Sequence, residues 1–148
     1  MKTILPILFT VVVGILNAFH SGTNAKLEET LGRPWWITVF VAGISCAAAL
    51  VLVGVMREPF PAWEGFGRTP WWAWVGTVIA VVPIVATILF AGQLGAATYN
   101  GLVVTATLVT AVVLDHFGIV GFRQHPAGLW RIVGSAMMIG GIALVSVF

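Results

Sequence analysis

Asn17, His20, Ser21 and Asn24 stand at i, i+3, i+4 and i+7 inside an otherwise apolar run. On a helix that spacing puts all four on one stripe, with Gly14 at its margin. Polar groups in hydrocarbon are costly and turn toward protein or a water-filled cavity, so the stripe reads as a surface facing a substrate or an ion. The competing reading needs no ligand, because Asn, Ser and His side chains also bond across packed membrane helices. His20 is the one titratable member, and histidine readily exchanges a proton near neutral pH. Proton coupling through His20 therefore stands beside a purely structural role.

Asn100 and Thr107 lie seven positions apart, hence on one stripe of a later helix, flanked by Thr110. They read as a second wall of the same cavity. The plainer reading is that threonine hydroxyls bond their own helix backbone. Asp115 and His116 are adjacent, and neighbours on a helix point about 100° apart, so separate partners are expected for them. Asp115 reads either as a cation or proton site at a gate, or as a helix-end carboxylate paired with Arg123 or Arg131. No carboxylate falls in the central part of any apolar run.

Other chemistry finds little support. There is no phosphate-binding glycine loop, nucleophile elbow or zinc signature. His20, His116, Asp115 and His125 fall at different depths without the spacings of a catalytic or metal site, so neither an enzyme, a metal nor a cofactor is expected. Cys46 is the single cysteine and reads as a small packing residue. The seven Lys and Arg residues are scattered among loops rather than gathered in a patch, which argues against nucleic acid as a partner.

The elements that position these residues follow from composition. The 148 residues are 59% apolar and 8% charged, with mean hydropathy +1.05. Soluble domains carry about 25% charged residues, so the partner of this surface is a lipid bilayer. A membrane helix needs roughly 20 apolar residues to cross about 30 Å of hydrocarbon. Five such helices fit the chain, at about residues 4–24, 34–56, 70–91, 96–117 and 129–148, as one all-α transmembrane domain over residues 1–148. The first segment also resembles a secretory signal, but its polar end is unlike a small-residue cleavage site.

Pro34 suits a first helical turn, and Trp35, Trp36, Trp71, Trp72 and Trp74 suit the headgroup level. Pro83 predicts a kink in the third span. The run Gly92-Gln93-Leu94-Gly95 predicts a tight turn between antiparallel neighbours. Residues 57–69 mix Pro, Trp and Phe with charges and suit an irregular segment lying in the interface. Gly43 with Ala47 on the second span, and Gly134 with Gly141 on the fifth, predict close helix packing or a dimer contact. An odd span count sets the two ends of the helix set on opposite sides. Lys2, Arg57, Arg68, Arg123 and Arg131 share one side and Lys26 and Arg33 the other, which predicts a cytoplasmic N-terminus and an external C-terminus.

Several stretches are familiar. Gly14 to Leu27, Asn24 to Gly32 followed by Pro34, Trp72-Ala73-Trp74, Leu94-Gly95-Ala96-Ala97-Thr98, Trp130-Arg131 followed by Gly134, and above all Leu114-Asp115-His116-Phe117-Gly118 carry a resemblance. In these the chain resembles the YdcZ-type branch of the drug/metabolite transporter superfamily, over nearly its whole length. The resemblance implies a five-helix half-transporter of the bacterial inner membrane. Such a half assembles with a second copy or an oppositely oriented paralogue, or occurs fused to one as a ten-helix protein. The family pattern often has Gln at the positions of His20 and Thr107. The charge bias favours a fixed orientation, hence an inverted paralogue, over a dual-topology homodimer.

The expected function is therefore export of a small polar or cationic metabolite by an antiparallel dimer, along Asn17, His20, Ser21, Asn24, Asn100, Thr107 and Asp115. The alternative is a non-transporting scaffold or accessory subunit that uses its small-residue faces.

Overall fold

The structure, a computed structural model, describes residues 4–121 and 123–147, so Lys2 and Phe148 of the expectations above lie outside the described residues. Among the described residues all regular secondary structure is helical: α1 (Ile4–Leu31), α2 (Pro34–Met56), α3 (Trp63–Arg68), α4 (Trp71–Ile79), α5 (Val81–Leu94), α6 (Ala96–Phe117) and α7 (Leu129–Val147). Five helical segments are long and apolar enough to cross a membrane, with α4 and α5 together forming the third, Trp71–Leu94. Their large apolar side chains point outward, among them Phe9, Phe19, Ile44 and Trp130, as they do where lipid rather than water surrounds a protein.

The chain divides into two compact units, Met1–Gln93 and Leu94–Phe148. In the first, α1 runs to Leu31 rather than ending near Asn24. The extension is built from helix formers, Ala25, Lys26, Leu27, Glu28 and Glu29, and carries a Lys26–Glu29 ion pair at 3.0 Å. Gly32 stops it: at φ +57 it takes the left-handed turn, and its N–H bonds the Glu28 carbonyl at 2.8 Å. Pro34 then opens α2, whose far end closes on Arg57 in the left-handed region. There the N–H groups of Arg57 and Glu58 bond the Gly54 and Val53 carbonyls, the crossed pair of a Schellman ending.

The segment 57–69 is more regular than expected, since it contains α3. Glu64 in its first turn and Arg68 in its last complement the helix dipole. The rings of Phe60, Trp63, Phe66 and Trp74 contact one another at centroid distances of 5.5–6.0 Å, with Phe66 stacked on both Phe60 and Trp74, tying this short helix to the start of α4. The third span is interrupted at Ala80. Pro83 cannot donate the backbone bond that would join it to the turn before, which accounts for the break.

In the second unit, Gly95 at φ +80 precedes α6. The turn expected over four residues is thus reduced, because Gln93 and Leu94 continue α5. Helices α6 and α7 pack so closely that a Cβ on Gly101 would overlap Ile142 Cδ1. By contrast, Cβ atoms on Gly43, Gly134 and Gly141 would meet nothing within 4 Å, so close packing inside the chain falls at other glycines than those read from the sequence.

Candidate functional site

On α1 the usual relation of polarity to burial is inverted. Its two buried residues are Ser21 and Asn24, each 2% exposed, while its apolar side chains face outward. Ser21 and Asn24 lie three apart and therefore share a face, as the periodicity required. The Ser21 hydroxyl donates to the Ala18 carbonyl at 2.8 Å. The Asn24 amide Nδ2 meets His20 Nε2 at 3.2 Å, one turn away. With the amide in this orientation Asn24 donates and Nε2 accepts. Asn17 and His20 are exposed, so the stripe passes from an open upper turn to a buried lower one.

Directly below this turn, α1 and α5 approach at Ala25 and Gly92, where a Cβ on Gly92 would sit 3.5 Å from that of Ala25. Beside the contact lies a cavity of about 450 Å³ lined by Gly22, Ala25, Lys26, Glu28, Glu29, Ile88, Leu89, Gly92 and Gln93. Glu28 is not among the residues that the sequence singles out. It falls four after Asn24 and thus continues the stripe, a signal hidden when the helix is taken to end with its apolar run.

The other expected residues are in the second unit. Asn100 Nδ2 donates to the Ala96 carbonyl at 2.9 Å, and the Thr107 hydroxyl to the Val103 carbonyl at 2.7 Å. The buried polar side chains of α6 are Tyr99 and Thr105 instead. Asp115 pairs with Arg131 at 3.2 Å, the second of the two partners the sequence offered. Around it the loop folds back over the helix end. His125 N–H bonds the Asp115 carbonyl, Gln124 Nε2 the His116 carbonyl, and Ala127 N–H the His116 Nδ1. Gly118, at φ +63, makes the turn, and a Cβ there would come within 3.0 Å of Gln124 Cβ. The Asp-His-Phe-Gly run thus ties α6 to the loop leading into α7. Among the described residues no three His, Cys, Asp or Glu side chains gather as a metal site would require.

Five helical segments long and apolar enough to cross a bilayer define a multi-pass membrane protein. Residues 5–144 match the family described as "Putative inner membrane exporter, YdcZ", and the chain belongs to that family. It is accordingly an inner-membrane protein of an exporter family. No curated protein and no solved structure gives a significant match.

Proposed function

We propose that this chain is one half of an antiparallel dimeric exporter of a small polar or cationic metabolite, with the polar face of α1 lining the solute path. The observation that carries the proposal is the burial of Ser21 and Asn24 in a helix whose apolar residues are exposed. Polar side chains turned away from lipid at Ser21 and Asn24, with a cavity lined by the next residues of the same helix, support such a path. The partner is a second copy or an inverted paralogue. Five spans place their ends on opposite sides, and a pair of inverted units puts a site near the midplane at their interface. The open glycines Gly134 and Gly141 on α7, and Gly43 beside Ala47 on α2, offer surfaces for that partner. Asn100, Thr107 and Asp115 of the second unit are further path residues in this reading, for their polarity within an apolar segment. The N-terminus is cytoplasmic, from the charge bias.

The test is solute efflux from cells or proteoliposomes containing the intact chain and its partner. His20→Ala and Asn24→Ala are expected to abolish efflux while membrane insertion persists. Wild-type efflux in both variants overturns the proposal. The scaffold reading predicts partner binding without efflux, and no structural observation favours it.

A further inference from the structure

The one carboxylate of the proposed path, Asp115, is paired with Arg131, and the extension of α1 supplies one that is unpaired among the described residues. At about 1.5 Å per residue, the 28 residues of α1 span about 42 Å, well beyond about 30 Å of hydrocarbon. Its last turns therefore emerge into the headgroup layer. There Glu28 and Glu29, adjacent in sequence, have separate fates. The Glu29 carboxylate is bound by Lys26 at 3.0 Å, and both of these side chains are 70% exposed. Glu28 is partly buried, and among the described residues no side chain is paired with it. Both line the same cavity, but Lys26 neutralises Glu29 and so leaves Glu28 as the uncompensated charge.

We propose that Glu28 is a cation-binding residue at the mouth of the α1 polar face, seating the ammonium group of a small organic cation in the cavity between α1 and α5. This rests on the transporter reading given above. Three features select an organic ammonium. The cavity, about 450 Å³, falls in the range of small-molecule sites, roughly 300–1,000 Å³. Its walls at Gly22, Ala25, Ile88, Leu89 and Gly92 are apolar and suit a hydrocarbon body. Calcium takes about six to eight oxygen ligands, far more than Glu28 and the Gln93 amide present, and the Lys26 ammonium further disfavours a divalent ion.

The experiment is equilibrium dialysis of radiolabelled choline against the full chain in lipid nanodiscs. The wild type is expected to bind choline, and Glu28→Gln, nearly the same in shape, to bind about tenfold or more weakly, the scale of one lost charge-assisted contact. Glu28→Asp should retain binding in part, Glu29→Gln should match the wild type, and Gly92→Leu, which fills the cavity, should lose binding. Absence of choline binding in the wild type overturns the inference, as does equal binding in Glu28→Gln or an equal loss in Glu29→Gln. Efflux that depends on His20 and Asn24 but not on Glu28 would remove this inference and leave the solute path standing. Absence of efflux for any solute would remove both.

Discussion

Asn24 holds His20: its side-chain amide reaches the imidazole Nε2 at 3.2 Å, from a buried position to an exposed ring one turn earlier on α1. An amide nitrogen donates, so Nε2 is the acceptor in this contact. A glutamine at position 20 presents a carbonyl that can accept the same hydrogen. His20→Gln is therefore expected to retain the efflux that His20→Ala loses. Efflux of the two variants measured side by side checks this.

The end of α6 depends on Gly118 for two separate reasons, its positive φ and the nearby Gln124 backbone, 3.3 Å from where an alanine Cβ would stand. Gly118→Ala should destabilise the α6 to α7 connection by about 1–3 kcal/mol, measured by denaturant unfolding in detergent. Asp115→Asn should cost less, up to about 1 kcal/mol, because its ion pair with Arg131 is partly exposed.

Close packing of α6 on α7 makes Gly101 and Ile142 a coupled pair. Gly101→Ala alone is expected to cost about 1–3 kcal/mol through overpacking. Ile142→Ala should recover part of that loss in the double variant, since it removes the atom the new methyl would strike. A double-mutant cycle on unfolding free energy reads this coupling directly.

Reporter fusions at Met1 and Phe148 should place the N-terminus in the cytoplasm and the C-terminus outside, following the five-to-two distribution of positive residues. A single orientation then calls for an inverted paralogue as the partner. A mixed orientation shows that one chain can supply both halves.

What the sequence reveals differs from residue to residue. The five spans are legible because apolar runs of bilayer length leave few alternatives, and the Asn17 to Asn24 stripe because polar residues in such runs are rare. Glu28 escapes because helix propensity, not hydrophobicity, sets where α1 ends, and Ala25 to Glu29 continue the helix beyond its apolar run until Gly32. Glycine spacing shows that small residues are present but not which have a neighbour. Gly101 faces Ile142, while Gly134 and Gly141 face open space. Asp115 has two cationic candidates in sequence, and the path of the loop after Gly118 decides for Arg131. Pro83 announces a break that falls a turn earlier, at Ala80, because the missing proline N–H and the ring's bulk act on the preceding turn.

The proposed polar path along one face of α1 makes a direct demand on thiol accessibility. With Cys46 replaced, single cysteines at Asn17, His20, Ser21 and Asn24 would be probed with a membrane-impermeant thiol reagent in the assembled protein, beside cysteines at Leu16 and Phe19. Labelling is expected at the four polar positions, reduced by a transported solute, and none at the two apolar ones. Labelling confined to neither face, or no labelling along the stripe from either side of the membrane, would contradict the path.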